Sequence, residues 1–265
     1  MLERRVEMVR AKALVLNGYG INCPYETAYA ITASGGDVEI RHVSELMENP
    51  SMLHGYNLLA LPGGFSFGDD IASAKVLANR LKYRAKDALQ RFVGEGKLVI
   101  GICNGFQALV KMGLLPRPDF VQRVTLTYNA SGRFEDRWVR LKMNVKSPCV
   151  FTKGIEYLDL PVRHGEGRFI PASREILEEM ANKQLITCFY VNSRGEFADY
   201  PFNPNGSVLN IAGICSENGR IFGLMPHPEA FNHPTNHPGW TRGIAKKGEG
   251  LKIFRNAVEW IEASL

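Results

Sequence analysis

The residue with the clearest chemical potential is Cys103, which ends an apolar run and precedes a helix-like pattern. It lies in the pentapeptide Gly101-Ile102-Cys103-Asn104-Gly105. This pentapeptide is preceded by KLVI and followed by FQALVKMG. A G-x-C-x-G pattern between a strand and a helix is typical of a nucleophile elbow, a sharp turn that exposes the nucleophile above a sheet. The N-terminus of the following helix favours the thiolate, which is the nucleophilic form. We interpret Cys103 as a nucleophile, with a buried, inert thiol as the alternative.

A cysteine nucleophile needs a base, and the base needs an orienting group. The stretch GLMPHPEAF places His227 and Glu229 two residues apart, just after a predicted strand. In an extended segment both side chains would point to one side, so Glu229 could hold one ring nitrogen while the other faces the sulfur. A lone H-x-E pattern also occurs by chance. His164, in RHGEGRF, is predicted either to line a ligand pocket or to belong to a turn.

The remaining cysteines and histidines do not predict a metal site. The five cysteines are an odd number, widely spaced and without a C-x-x-C pair, which disfavours a zinc site and a disulfide framework. His233 and His237 are four apart, but Pro234 and Pro238 disfavour a helix there and no third ligand is evident. Four cysteines are predicted to be ordinary buried thiols: Cys23, Cys149, Cys188 and Cys215.

The N-terminal half alternates short apolar runs with helix-period segments. Strands are predicted within 12–20 and 56–64 and in KLVIGIC, and helices over 24–36 and 70–96, with DVEIRHV as another strand. This rhythm predicts an α/β fold with a mostly parallel sheet and helices on both faces. Ligands of such sheets bind beyond the carboxyl ends of the strands. Gly63-Gly64 and Cys103 each follow a strand, so both belong to that edge, although the two glycines could simply be turn residues.

The C-terminal half has a different pattern. The segment 123–145 alternates polar and apolar residues around an Asn/Ser/Gly break, which predicts antiparallel pairing. Asn218-Gly219 between apolar runs predicts a hairpin. Residues 249–265 form an amphipathic helical pattern. No linker or repeat interrupts the chain, so one domain over 1–265 is predicted.

Composition excludes several classes of function. The 265 residues carry a formal charge of +5, but the basic residues are scattered among acids, so no nucleic-acid partner is predicted. No stretch approaches the length of a membrane span, and the charged first residues, MLERRVEMVRAK, lack the apolar core of a signal peptide. A cytoplasmic location is expected.

Three motifs in this order, LPGGFSFGD, GICNGFQAL and MPHPEA, resemble those of the class I (triad) glutamine amidotransferases. Within this family, the chain most resembles the glutaminase subunits of phosphoribosylformylglycinamidine synthases. Four motifs carry this resemblance: PGGFSFGD, NASGRFEDRWV, HGEGRF and NPNGS. The similarity covers nearly the whole chain. It implies the flavodoxin-like amidotransferase fold, with an antiparallel extension of the central sheet, and glutamine as the substrate.

The resemblance also implies roles at the matching positions. Cys103 would be the nucleophile, His227 the base and then the acid, and Glu229 the group that orients His227. Backbone N–H groups at Gly63, Gly64 and Asn104 would form an oxyanion hole, and Gln107 would help hold glutamine. Two positions depart from the family pattern: Ala230 stands where arginine is common, and IASAKVLA (71–78) is less glycine-rich than in many members.

The resemblance further implies partners. Separate glutaminase chains of this kind deliver ammonia to a synthetase subunit, usually with a small accessory subunit, to convert formylglycinamide ribonucleotide to formylglycinamidine ribonucleotide. No G-x-x-x-x-G-K-[ST] motif occurs, so ATP and Mg²⁺ are expected on the synthetase and no cofactor on this chain. Three alternatives stay open. They are an amidotransferase serving GMP, CTP or carbamoyl phosphate synthesis, a flavodoxin-like cysteine hydrolase or chaperone, and a non-enzymatic scaffold.

Overall fold

A computed structural model describes residues 10–265. Residues 1–9, which include most of the charged start where no signal peptide is expected, lie outside the described part. The strands are β1 (Lys12–Asn17), β2 (Asp37–His42), β3 (Leu58–Leu61), β4 (Leu98–Ile102), β5 (Val124–Thr127), β6 (Glu135–Met143), β7 (Tyr157–His164), β8 (Arg168–Pro171), β9 (Ile186–Val191), β10 (Ile211–Cys215) and β11 (Ile221–Leu224). The helices are α1 (Pro24–Ala33), α2 (Val43–Glu48), α3 (Lys75–Arg84), α4 (Lys86–Gly94), α5 (Asn104–Met112), α6 (Arg174–Asn182) and α7 (Leu251–Ser264).

The main sheet has nine strands in the order β2-β1-β3-β4-β11-β10-β9-β6-β7. The five strands from β2 to β11 are parallel, and every residue of β3, β4 and β11 is buried. Apolar strands covered on both faces by helices are typical of parallel sheets. The predicted parallel half of the fold is therefore confirmed.

The other strands of the main sheet are antiparallel and form the predicted extension. Strands β10 and β11 form a hairpin around Asn218-Gly219, which confirms that turn prediction. The segment 123–145 also forms antiparallel strands, but its two strands do not pair with each other. Strand β5 pairs with β8 in a separate two-stranded sheet, whereas β6 pairs with β7 and β9. Alternation identifies a strand but does not choose its partner.

The helix predicted over 70–96 is wrong in its extent. Residues 70–74 belong to a loop, because Ala74 adopts the left-handed conformation with φ of 58° immediately before α3. A further break at Ala85, with φ of −125°, separates α3 from α4. The helical pattern continues across both interruptions in the sequence, so periodicity alone does not reveal them.

The carboxyl ends of β1, β3, β4 and β11 meet at one edge of the sheet, which we call the active edge. The segments that follow them contain Cys23, Gly63-Gly64, Cys103 and His227, respectively. This is the position that open α/β sheets use for ligands. Within residues 10–265, no helix is both long enough and apolar enough to span a bilayer.

Candidate active site

Cys103 occupies a strained turn between β4 and α5. Its φ and ψ are 51° and −106°, a conformation that costs a non-glycine residue energy and is common at functional sites. Its N–H donates to the Leu224 carbonyl oxygen at 2.8 Å. The flanking glycines allow this turn: a Cβ on Gly101 would lie 2.6 Å from the Gly105 oxygen, and one on Gly105 would lie 1.8 Å from the Leu61 oxygen. Close packing at the turn thus explains the G-x-C-x-G pattern.

His227 and Glu229 form a buried pair beside this turn. The His227 Nδ1 atom lies 2.5 Å from Glu229 Oε1, and both side chains are almost completely inaccessible. The segment is not extended as the sequence suggested, because Pro228–Ala230 forms a 3₁₀ turn with His227 at its N-cap. The backbone N–H of His227 donates to the Pro161 carbonyl oxygen at 2.9 Å, and this hydrogen bond fixes the turn against β7. The expected pairing is present, but a turn rather than a strand produces it.

The charges around His227 favour the imidazolium. Burial by itself lowers the pKa of His227, but the negative charges of Glu229 and the Cys103 thiolate outweigh it and hold the pKa well above its usual value. Within the described residues, His227 Nε2 is buried and has no well-aligned hydrogen-bond partner. Nδ1 is occupied by Glu229, so Nε2 is the nitrogen available for proton transfer.

Gly63 lies between the nucleophile and the base. A Cβ at this position would lie 2.6 Å from His227 Cε1, 3.3 Å from His227 Nδ1 and 3.5 Å from Cys103 Cβ. The absence of a side chain therefore allows the imidazole to approach the sulfur.

We expect Gly63→Ala to displace the His227 ring and lower glutaminase kcat/KM about 10²-fold, because small misplacements of catalytic groups cost this much. Steady-state kinetics with glutamine tests this. Gly94→Ala is the control, since a Cβ there meets nothing within 4 Å. Equal activity of the two variants would contradict this role for Gly63.

Three backbone N–H groups at the active edge, those of Gly63, Gly64 and Asn104, are suited to bind an oxyanion. Among the described residues, the N–H groups of Gly63 and Gly64 donate no hydrogen bond, while the Gly63 carbonyl accepts from Asn22 and Cys23. The N–H of Asn104 opens α5, and the first N–H groups of a helix have no intrahelical acceptor. The predicted oxyanion residues thus lie at one edge with unused donors.

The Asn104 side chain connects the turn to the loop that follows Gly64. Its Oδ1 accepts from the Ser66 N–H at 3.1 Å, and its Nδ2 donates to Asp69 Oδ1 at 2.8 Å. Nδ2 also donates to Gln107 Oε1 at 3.0 Å. The Asp69 carboxylate can only accept, so it defines the orientation of the amide. Asn104, the residue that follows Cys103, thereby fixes the loop that follows Gly64.

The Gln107 side chain is buried and engaged at both ends. Its Oε1 accepts from Asn104, and its Nε2 donates to the Glu166 carbonyl oxygen. The structure therefore places Gln107 between the elbow and the segment after β7, where it would position that segment rather than leave its amide free for a substrate.

The end of β7 forms the wall opposite the elbow. The Cys103 thiol lies 3.7 Å from the Arg163 carbonyl oxygen. His164 is buried with Nδ1 3.1 Å from Asn129 Oδ1. That oxygen can only accept, so Nδ1 carries the proton. Burial and the nearby charge of His227 lower the pKa of His164 to about 3, which keeps the ring neutral. His164 therefore ends strand β7 at the border of the site, close to His227, and does not belong to a turn.

Sequence reasoning missed Cys23. The structure places its sulfur, one nitrogen of His227 and one oxygen of Glu229 within 4.8 Å of one another. Cys23 is half-buried, whereas Cys149, Cys188 and Cys215 are fully buried, as predicted. The sequence feature that could have identified Cys23 as a site residue is its position after β1, because β1 ends at the same active edge as Cys103.

Comparison with known proteins identifies the family of the chain. Residues 10–261 match the model of the CobB/CobQ-like glutamine amidotransferase domain. The phosphoribosylformylglycinamidine synthase subunit PurQ of Dehalococcoides mccartyi is 47% identical over 256 residues, which cover 96% of this chain and 98% of that protein. The chain belongs to the PurQ family of glutamine amidotransferases.

Other comparisons extend the PurQ similarity. The PurQ subunit of Methanococcus maripaludis is 43% identical, over 94% of this chain and 97% of that protein. A chain in the structure of PurLQS from Thermotoga maritima is 28% identical, with a TM-score of 0.71, over 95% of this chain and 99% of that one. These similarities confirm the predicted family and the amidotransferase fold.

Proposed function

We propose that this chain is the glutaminase subunit of a phosphoribosylformylglycinamidine synthase and hydrolyses glutamine through Cys103, His227 and Glu229. The observation that carries the proposal is the strained Cys103 elbow beside the buried His227–Glu229 pair. A nucleophile, a base and an orienting carboxylate in this arrangement are suited to acyl transfer. The PurQ similarity supports glutamine as the acyl donor.

In the first step, the Cys103 thiolate attacks the side-chain amide carbon of glutamine and forms a tetrahedral intermediate. Its oxyanion faces the N–H groups of Gly63, Gly64 and Asn104. Such donors need no reorganisation as charge develops, and losing one typically costs about 10²–10³-fold in rate. The Asn104–Asp69 hydrogen bond keeps the loop that carries two of them in position.

In the second step, the His227 imidazolium protonates the departing nitrogen, so ammonia leaves and a γ-glutamyl thioester remains on Cys103. His227 then takes a proton from water, which attacks the thioester and releases glutamate. Glu229 holds Nδ1 throughout, so Nε2 exchanges the protons. His227 gives one proton to the departing nitrogen and takes one proton from water, so it ends the cycle in its starting protonation state.

We expect Glu229→Gln to change the pH dependence of this reaction. The carboxylate raises the pKa of His227, whereas burial lowers it. Without the carboxylate the imidazolium loses its proton at lower pH, so the alkaline limb of kcat/KM should move downward. Turnover should also fall about 10²–10⁴-fold, as for other orienting carboxylates. A pH–rate profile measures both, and an unmoved alkaline limb would contradict this role for Glu229. Glu259→Gln, on the C-terminal helix, is the control.

The ammonia requires an acceptor enzyme. We assign that role to a synthetase subunit that binds ATP and Mg²⁺ and converts formylglycinamide ribonucleotide to formylglycinamidine ribonucleotide. A small accessory subunit completes the proposed assembly, which would work in the cytoplasm. The similarity to a chain of PurLQS supports a complex with a synthetase. No metal or other cofactor is assigned to this chain for the reaction itself.

Reconstitution tests the choice of acceptor. The full chain is combined with the formylglycinamidine-forming synthetase of the same organism and, separately, with its GMP, CTP and carbamoyl phosphate synthetases. We expect glutamine-dependent product and co-purification only with the first. Glutamine-dependent GMP, CTP or carbamoyl phosphate formation, with none of the formylglycinamidine product, would overturn the assignment while leaving the glutaminase chemistry intact.

A further inference from the structure

Cys23 is a second thiol at the active edge, and the proposed mechanism does not use it. It immediately precedes α1 and is half-buried, so one side of it faces solvent. Its sulfur lies close to His227 and Glu229. One potential ligand atom from each of the three residues lies within 4.8 Å of the other two. A thiol beside an imidazole and a carboxylate is a set of three metal-binding groups.

The backbone holds this thiol in place. The Cys23 N–H donates to the Gly63 carbonyl oxygen at 3.1 Å, and its own carbonyl accepts from Thr27 Oγ1 at 2.7 Å. His227 and Glu229 lie on a short 3₁₀ turn whose first N–H is bonded to β7. All three donors therefore project from fixed backbone, which is a requirement for a metal site.

Some donor atoms in the cluster are unsatisfied. Within the described residues, His227 Nε2 and Glu229 Oε2 are buried and have no hydrogen-bond partner. Both residues are at least 97% buried by side-chain accessibility, with 3% and 1% exposed. Unpaired buried polar atoms are uncommon in folded proteins and indicate that a further group can be accommodated.

The donor types select the class of ion. Sulfur, imidazole nitrogen and carboxylate oxygen are the ligands of Zn²⁺, whereas Mg²⁺ and Ca²⁺ prefer all-oxygen sites. Ligand atoms around tetrahedral zinc lie roughly 3–4 Å apart, given bond lengths of roughly 2.0–2.3 Å. A spacing of at most 4.8 Å reaches this after small side-chain movements. Three protein ligands leave the fourth position for water.

We infer that Cys23, His227 and Glu229 form an inhibitory binding site for Zn²⁺ and chemically similar divalent ions. Binding displaces the thiol proton of Cys23 and any proton that the chosen His227 nitrogen carries, and both pass to solvent. The ion then occupies the base and its orienting carboxylate, so Cys103 loses its proton-transfer partner. The binding itself is independent of the proposed function, but inhibition of glutamine hydrolysis rests on it.

Binding is tested without any activity measurement. Co²⁺ is titrated into the full wild-type chain and into Cys103→Ala and Cys23→Ser, and Zn²⁺ affinity is measured by competition with a chromophoric chelator. We expect wild type and Cys103→Ala to bind one ion with a thiolate-to-cobalt absorption band. Cys23→Ser should lose this band and bind Zn²⁺ at least about tenfold more weakly, because a hydroxyl is a poor substitute for a thiolate ligand. Circular dichroism checks the fold, and Cys23→Ala is the second variant if the serine variant does not fold.

Two results would overturn the inference. Equal Zn²⁺ affinity of wild type and Cys23→Ser would exclude Cys23 as a ligand. Loss of the cobalt band in Cys103→Ala alone would place the ion on the nucleophile instead. In the reconstituted complex, Zn²⁺ should inhibit glutamine-dependent turnover at lower concentration than ammonium-dependent turnover. The concentration for half-inhibition should rise at least about tenfold in Cys23→Ser. Binding without inhibition would retain the site and count against its inhibitory role.

Discussion

Cys103→Ala should lower glutamine-dependent turnover of the assembled synthase at least about 10⁴-fold, since removing a covalent nucleophile leaves only binding and oxyanion stabilisation. Ammonium-dependent turnover should stay within about twofold of wild type, because ammonia bypasses the thioester step on this chain. The elbow explains the size of the effect. Cys103 is the thiol in the strained turn, and a Cβ on Gly63 would lie 3.5 Å from Cys103 Cβ and 2.6 Å from His227 Cε1.

The control for Cys103→Ala is Cys149→Ala. Cys149 is a buried thiol whose pKa is raised by burial, and it precedes a short 3₁₀ turn away from the active edge. This variant should keep glutamine-dependent turnover even if it unfolds at a lower temperature. Substantial glutamine-dependent turnover in Cys103→Ala would show that another group attacks the substrate.

His227→Ala should lower glutamine-dependent turnover about 10³–10⁴-fold in the same assay, again with little change in ammonium-dependent turnover. In the proposed mechanism the buried ring transfers protons in both halves of the cycle, and Glu229 Oε1 orients it from 2.5 Å. The measurement is single-turnover release of glutamate and ammonia. Release of both products should slow.

The control for His227→Ala is His237→Ala. The His237 ring packs against Trp138 with 4.9 Å between ring centroids, and it takes no part in the His227–Glu229 pair. We expect near-normal turnover from this variant. A loss of less than about tenfold in His227→Ala would mean that a different base serves Cys103.

Much of the fold could be predicted because its signals are local. Apolar runs that end at glycines identified β1 and β3, the apolar run that ends at Cys103 identified β4, and Asn218-Gly219 identified the β10–β11 hairpin. The loop from 70 to 74 and the partner of β5 could not be predicted. Both depend on contacts between distant segments: Asp69 bonds Asn104, and β5 pairs with β8 across more than 40 residues.

In the candidate site, too, features with a local sequence signal could be predicted, and features that depend on contacts between distant segments could not. The G-x-C-x-G pattern gave Cys103, and strand-end position gave His227 and Glu229. The 3₁₀ turn at Pro228–Ala230 and the engagement of Gln107 by Glu166 had no local signal. The approach of Cys23 to His227 was indicated only by the position of Cys23 after β1. These features arise only when the ends of β1, β3, β4 and β11 converge on one edge. Spacing along the chain cannot report such convergence.

Trapping the covalent intermediate identifies the nucleophile directly. The complex is mixed with glutamine, quenched in acid within one turnover, digested and analysed by mass spectrometry. The mechanism predicts one γ-glutamyl group on the peptide that contains Cys103, and none in Cys103→Ala. A γ-glutamyl group on the Cys23 peptide, or rapid turnover with no cysteine modified at any quench time, would contradict Cys103 as the nucleophile.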